Sequence, residues 1–425
     1  MGRCHRPLWA RLGTLRPAAP SSEAGENAMD LHGPVFLLLG AAFGLAYGFL
    51  LQRGDFCFTS AFRDLYAFRH TRVLQGIVTA VAVTTLGWGI ALSAGWATPD
   101  RLWVPPVGWN SLLGGFLFGI AMYVAGGCAS GTLYRAGMGY GQFWITLLGM
   151  GAGYYAFLRL FPTVLQPHFF KPLQIAGPVT LYRLLPWPPL LTALLAVAVL
   201  LAGVALVAGP GAIRRSLAEL AGFFRQGPGV LLRLRSWDTR AVGLLLGLVS
   251  TLQFSLWTIW GITGPETRWV AVAWAAVDDP ARVAANPYVA SLFRGYPGLV
   301  PGPEEVLIAG IIAGAALSAR LNGTFRWRRP RLRRLPNAVA GGFLLAFASR
   351  LTPGCNIGNL LSGLPALSLH SLLASAGIAA GIYTAWKIAH LRQAALLSSC
   401  RVEPATAGTG TGTPAKPAAA PPAGI

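Results

Sequence analysis

Three of the five cysteines stand in glycine-rich segments that interrupt long apolar runs. Each segment holds one of them: Cys57 in 52–64, Cys128 in 125–141 and Cys355 in 352–363. A thiol is a weak hydrogen-bond donor with a soft, polarisable sulfur, which suits a soft acceptor. No CxxC pair occurs, so the spacing indicates neither a zinc site nor a dithiol redox centre. The remaining Cys4 and Cys400 lie in low-complexity ends.

The same three segments favour an anion. A helix that restarts after a break presents unpaired N–H groups and a partial positive charge. Arginines flank the breaks at positions 53, 63, 135 and 350. The residues that we expect to line or support a path are Cys57, Cys128 and Cys355, with Arg53, Arg135, Gly127, Gly131, Gly354, Gly358 and Asn356 around them.

Simpler interpretations exist for each residue alone. A buried cysteine is more often a small apolar side chain, and an arginine at a helix end more often fixes topology. A glycine pair before a cysteine also permits close helix packing. The recurrence of one cysteine in each of three breaks favours a functional set.

The surrounding chain indicates a membrane protein. Of its residues, 54% are hydrophobic and 11% are charged, and long stretches lack charge altogether. Nine segments are predicted to be crossings: 35–52, 73–95, 110–126, 140–160, 189–209, 241–259, 305–320, 337–352 and 368–388. Such lengths match a hydrocarbon layer of roughly 30 Å. The net charge of +20 sits in short connections, which argues against nucleic acid.

An internal repeat organises these segments. Residues 114–131 align without a gap to 341–358, with eight of eighteen positions identical. A weaker match joins 37–44 to 244–251. We therefore expect an all-α integral membrane protein of about nine transmembrane helices, built from two inverted four-helix repeats with broken helices. The predicted parts are a disordered extension (1–28), a first repeat (33–160), a linker helix with a basic cytoplasmic loop (161–240), a second repeat (241–392) and a disordered tail (393–425).

Lys and Arg are unevenly shared between alternate connections. The connections after the first, third, fifth and seventh crossings, together with the tail, hold 22, against eight on the other side after residue 28. The positive-inside rule then predicts an outside N-terminus and a cytoplasmic C-terminus in the inner membrane. Runs such as 326–334 are read as topology determinants.

The motifs QRGDFCFTSAFRD, AGGCASGTLYRAG and RLTPGCNIGNLLSGLPALSLH resemble the YeeE/YedE family of sulfur transporters, over about residues 33–392. The resemblance implies a multi-helix inner-membrane importer of thiosulfate, whose cysteines make transient S–H contacts to the ion. It places Cys57, Cys128 and Cys355 along the route. A soluble TusA-like sulfur-carrier protein is a further partner that the resemblance suggests.

Two alternatives stay open at this point. Residues 58–64 and 368–370 look closer to the YedE branch, which is linked to selenium metabolism, so a selenium compound is a second candidate substrate. A membrane thiol oxidoreductase would instead use the cysteines for disulfide exchange, which requires a resolving partner. We expect no enzyme activity, cofactor or metal, because neither an ATP-binding motif nor a catalytic triad nor a metal-ligand cluster is present in the sequence.

Overall fold

A computed structural model describes residues 34–293 and 302–399. The elements of the first half are α1 (Pro34–Gly54), α2 (Phe58–Phe68), α3 (Arg72–Ser93), β1 (Pro106–Gly108), α4 (Trp109–Ala125), α5 (Ala129–Gly137), α6 (Gly141–Leu160), a π-helix (Phe161–Phe170), β2 (Gln174–Pro178) and α7 (Leu181–Leu184). The two short strands pair antiparallel. A helix α8 (Pro189–Ala208) follows.

The second half begins with helices α9 (Pro210–Phe224) and α10 (Pro228–Arg233). It continues with α11 (Thr239–Leu256), α12 (Thr263–Val277), α13 (Pro280–Ala284), α14 (Pro287–Leu292), α15 (Pro303–Leu321), α16 (Leu335–Leu351), a π-helix (Ile357–Gly363) and α17 (Leu369–Ser399). By packing, the chain divides into a unit of residues 1–386 and a second unit of residues 387–425. Of the second unit, residues 387–399 are described, and they form the end of α17.

The membrane prediction is confirmed in its coarse form, an all-helical multi-pass membrane protein. In the described ranges, six helices are long and apolar enough to cross a membrane, and a helix occupies each of the nine predicted segments. Three of those nine helices fall outside the six. α15 carries Glu304, Glu305 and Arg320, α16 has only 17 residues, and α6 is continuous but contains glycines and tyrosines that lower its mean hydropathy.

Glycines let the long helices pack backbone to backbone. Gly40, Gly44 and Gly48 lie one turn apart on α1, and a Cβ on any of them would overlap a carbonyl oxygen of α15. Gly76 on α3 and Gly243 on α11 meet in the same way. Small residues of this kind dominate helix contacts in membranes, where apolar side chains gain nothing by leaving lipid.

The pairings cross between the two halves of the chain. α1 packs on α15 and α3 packs on α11, while α16 packs on both α4 and α6. α4 and α16 run antiparallel, because Gly114 meets Thr352 at one end and Gly341 meets Ala125 at the other. The breaks that follow these two helices therefore lie at opposite ends of the pair.

All three predicted breaks are present. The chain leaves α1 at Asp55, leaves α4 at Gly126 and passes Gly354 after α16, each with a positive φ of 42°, 70° and 127° respectively. A left-handed residue ends a helix and lets the next one start in a new direction. Asp55 is the exception among these, since a non-glycine residue there is strained.

A fourth break was not predicted. Residues 257–262 separate α11 from α12 and contain no cysteine. Trp257 adopts φ −147° and ψ −84°, outside the helical region. The signal lay in the WGITGP stretch, where two glycines and a proline follow a tryptophan.

Two boundaries need correction. Residues 210–240, expected as a loop, contain the helices α9 and α10. Residues 393–399, expected in the disordered tail, continue α17, because the LRQAALLSS stretch holds helix-favouring residues and no glycine or proline. The expected extension 1–28 and the tail beyond Ser399 lie outside the described residues.

Candidate functional site

Cys57 and Cys128 each stand immediately before a helix that restarts after a break. Cys57 precedes α2 and Cys128 precedes α5, and both side chains are fully buried. A Cβ built on Gly131 would lie 3.1 Å from the Cys57 Sγ and 3.2 Å from the Cys128 Sγ. The two thiols therefore face each other across Gly131, although 71 positions separate them in the sequence.

The start of α5 is shaped around the Cys128 sulfur. Its Sγ accepts a hydrogen bond from the Gly131 backbone N–H at 3.3 Å and lies 3.4 Å from the Ser130 hydroxyl. The sulfur thus occupies the place of a capping oxygen at the positive end of the helix. An incoming anion would find the same N–H group and the same dipole.

A polar cluster borders these thiols. The Tyr134 hydroxyl donates to Asp55 Oδ1 at 2.7 Å, and the Arg135 guanidinium lies 3.7 Å from the same oxygen. Arg135 also donates to the Gly126 carbonyl oxygen at 3.1 Å, so it bridges the first and second breaks. The Asp55 side chain is 71% exposed, which places this cluster where the thiol region meets the surface.

Cys355 lies on the wall of a cavity of about 460 Å³. The lining that bears on an anion is Arg101, Trp103, Trp260, Arg268, Arg350 and Cys355. The cavity reaches the surface beside Asp100, whose side chain is exposed. Neither Cys57 nor Cys128 lines it. The three thiols are thus divided between an open cavity and a closed contact.

Polar groups without partners lie beyond Cys355. Asn356 Nδ2 approaches Met122 Sδ at 3.3 Å, while Asn356 Oδ1 and both amide atoms of Asn359 are buried with no hydrogen-bond partner among the described residues. The end of α16 meets α4 at Gly114. Met122 is eight residues past Gly114, so Asn356 contacts α4 about 12 Å along the helix from that meeting point, at 1.5 Å per residue. Buried unpaired amides are costly and are explained by a ligand or water that they bind.

The glycines predicted to support the path lie in two different environments. Gly354 contacts Trp103 and Asn359 at the cavity wall, and a Cβ on Gly358 would be 3.7 Å from the Trp103 ring. A Cβ on Gly127 would meet only the Phe143 ring closely, at 3.1 Å. The left-handed position in that break is Gly126 instead.

Arg53 is not brought to the thiols. It is buried between the Phe49 and Trp237 rings, with its guanidinium carbon 5.1 Å and 5.6 Å from their centroids. It also donates to the Leu234 carbonyl oxygen. Arg53 therefore anchors the chain after α10, and its sequence position beside a break gave a misleading signal.

Several residues of the site were not predicted. Trp260, in the fourth break, stacks on Tyr47 at a centroid distance of 3.8 Å. Behind the cavity, Tyr154 donates to Glu266 at 2.6 Å. Only Glu266 carried a possible sequence signal, as an acidic residue after a glycine and a proline.

Comparison with known proteins gives this arrangement a context. The family model described as "Sulphur transport" matches residues 53–384. The chain belongs to the sulphur transport family. A thiosulfate transporter TsuA of Spirochaeta thermophila is 30% identical over 82% of this chain and 97% of its own length. The TsuA of Escherichia coli is 26% identical over 84% and 95%.

A second branch of the sulphur transport family matches over a shorter stretch. The probable transporter YedE of Escherichia coli is 37% identical over 111 residues, which is 26% of this chain. The resemblance seen in the motifs is thereby confirmed. All three breaks, and the thiols in them, fall inside the matched range 53–384.

Proposed function

We propose that this protein takes up a sulfur-containing anion, thiosulfate, across the cytoplasmic membrane along a path that passes Cys355 and then Cys128 and Cys57. The observation that carries the proposal is the placement of the thiols. One lines an open cavity and two meet at the starts of α2 and α5. The two relatives matched over most of the chain are both named thiosulfate transporters.

The path suits such an ion physically. Arg101 and Arg350 bring positive charge to the cavity wall, which attracts an anion, whereas Arg268 on the same wall is ion-paired with Glu304 and Glu305. Thiol S–H groups and helix N-termini then offer weak donors in succession, so the ion is bound without being trapped. The unpaired amides of Asn356, which contacts Met122 on α4, and Asn359, which lies beside Gly354, are close to Cys355 in the chain and would serve the ion in transit.

We also propose nine crossings arranged as two inverted repeats, with the N-terminus outside and the C-terminus in the cytoplasm. The exchange of partners supports this, because α1 with α15 and α3 with α11 are equivalent pairings under such a symmetry. A TusA-like carrier would then dock on the cytoplasmic side, near Asp55 and Arg135. A periplasmic reporter should be silent after Arg334 and active within the connection that holds α12. The opposite pattern would reject this topology.

Uptake of a dianion needs energy. Moving each charge against 100 mV costs about 2.3 kcal/mol, so a dianion entering a negative cytoplasm costs roughly twice that. A passive path could not concentrate it. Accumulation of the ion against this potential therefore needs an energy source, such as a coupled cation.

The test is an uptake comparison in cells that lack their own importers. Labelled thiosulfate should accumulate, and sulfate, which offers no terminal sulfur to a thiol, should accumulate far less. Accumulation of selenite instead of thiosulfate would support the selenium alternative suggested by the YedE match. Accumulation of none of the three would reject the proposed function. Non-reducing mass mapping of Cys57 and Cys128 after turnover would detect the thiol-exchange alternative.

A further inference from the structure

Two arginines on the cavity wall have different electrostatic partners. Arg268 forms ion pairs with Glu305, at 2.7 Å, and with Glu304. Arg350 is equally buried, yet among the described residues no carboxylate oxygen lies within ion-pair distance of it. Its nitrogens contact the hydroxyls of Thr263, Tyr288 and Ser349. Arg350 thus presents an unneutralised charge to the cavity.

A buried carboxyl group lies one helical turn from a contact of Arg350, because Arg350 bonds the Thr263 hydroxyl and Glu266 is three residues past Thr263 on α12. Glu266 is 7% exposed, and its Oε2 accepts a hydrogen bond of 2.6 Å from the Tyr154 hydroxyl. Its Oε1 is buried without a hydrogen-bond partner among the described residues, which distinguishes it from the fully bonded Glu305. A carboxylate in this position is poorly solvated, and burial penalises the neutral carboxylic acid much less than the charged form.

We propose that Glu266 binds a proton that is coupled to anion binding at Arg350, so that the protein takes up a proton as the anion enters the cavity. This inference rests on the proposed anion transport. An ionised Glu266 competes electrostatically with the anion for the single charge of Arg350. Protonation removes that competition and leaves Arg350 to the anion. By linkage, a bound anion raises the proton affinity of Glu266 to the same extent.

The environment of Glu266 favours a proton that exchanges near neutral pH. Burial raises the pKa of Glu266 to about 7, while the Tyr154 hydrogen bond and the Arg350 charge act in the opposite direction. Two groups act on Glu266 directly, Tyr154 on α6 and Arg350 on α16. The other helices packed against α12 carry Tyr288 on α14, Arg282 on α13, which pairs with Asp278, and Glu304 and Glu305 on α15, which pair with Arg268 on α12 itself; Cys355 lies in the third break. The carboxyl is protonated below that pH and ionised above it, so anion affinity falls as pH rises.

The coupling can be measured on the purified full chain by titration calorimetry with sodium thiosulfate. Binding at pH 7.5 in buffers of different ionisation enthalpy gives the number of protons taken up per anion. Because a carboxyl with a pKa of about 7 is already about one-quarter protonated at pH 7.5, we expect uptake of up to about three-quarters of a proton, and an affinity that weakens by up to about tenfold per pH unit above pH 7. Thiosulfate itself stays a dianion throughout this range, so the proton must be bound by the protein.

Two variants assign the proton. Glu266→Gln mimics the protonated form, so it should bind thiosulfate at pH 8 as tightly as the unchanged protein does at pH 6, with no proton uptake. Glu304→Gln removes a carboxylate that lines the cavity and should keep the full pH dependence. Thiosulfate binding by the unchanged protein without proton uptake would overturn this inference alone, and it needs no variant to fold. Absence of thiosulfate binding at every pH would overturn the proposed function together with it.

Discussion

Cys128 and Cys355 occupy corresponding places, each just past a left-handed glycine at the end of a long helix, but their surroundings differ. Cys128 lies against Gly131 and Ser130 and near Cys57, and both thiols are fully buried. Cys355 instead faces a cavity bordered by tryptophans and arginines. The same short motif therefore ends once in a buried contact and once on the wall of an open cavity. Among the described residues, Cys355 lines a cavity that reaches the surface, whereas Cys57 and Cys128 are fully buried.

The largest expected effect comes from removing a thiol at either place. Cys128→Ala and Cys355→Ala should each reduce thiosulfate uptake by about tenfold or more, because a hydrogen bond to a charged group contributes about 1.5–3 kcal/mol. Cys57→Ala should behave like Cys128→Ala. Serine keeps a donor but is shorter and harder, so it should rescue only in part. Uptake is measured with labelled thiosulfate, and membrane expression is checked by immunoblot.

The cysteine series also tests the comparison itself. If Cys57 and Cys128 act as one contact, the double variant Cys57→Ala, Cys128→Ala should lose little more uptake than either single variant. The losses should be close to additive, in free energy, when either change is combined with Cys355→Ala. Wild-type uptake by the triple alanine variant would show that all three are packing residues.

A smaller effect is expected at the glycines of the cavity wall. Gly354 has a φ of 127°, and a Cβ there would lie 2.8 Å from the Trp103 ring and 2.9 Å from the Asn359 amide. Gly354→Val combines backbone strain of order 1–3 kcal/mol with displacement of both side chains, so uptake should fall several-fold. Gly358→Ala, four residues away, meets the same ring at an ordinary 3.7 Å and serves as the matched control. Equal uptake by both variants would refute the role of Gly354.

The smallest effect is expected at Gly127. Its backbone is not left-handed, and a new Cβ would press on one edge of the Phe143 ring by a few tenths of an ångström. We expect Gly127→Ala to lower uptake no more than about twofold, with a destabilisation below about 1 kcal/mol. Thermal melting of the detergent-solubilised protein measures the destabilisation, and labelled uptake measures the loss of transport. A loss as large as that of Gly354→Val would mean that the two breaks are equally tight.

The positions of the helices were predictable because membrane crossings are local features. An apolar run of sufficient length is visible in sequence, and a glycine beside a cysteine marks where the run is broken. The fourth break was harder to see, since WGITGP carries no charged residue or cysteine to set it apart. This break is evident only in the structure, where Trp260 stacks on Tyr47.

Side-chain partnerships across helices were not predictable. The long helices are apolar on every face, so their sequences contain no periodic pattern that tells which side meets which neighbour. The contact between Cys57 and Cys128 and the bond between Tyr154 and Glu266 both join distant parts of the chain. Arg53 illustrates the converse error, because proximity to a break in sequence did not become proximity to a thiol in space.

The glycine stripe of α1 against α15 has a mechanical consequence. A contact made by bare backbone has no rotamers through which it can be repacked, so neither helix can slide or turn without overlap of main-chain atoms. We therefore expect α1 and α15 to move as one rigid unit. We expect any movement that opens the contact between Cys57 and Cys128 to occur in short helices such as α2 and α5. Each is only two or three turns long and can tilt about the breaks at its ends.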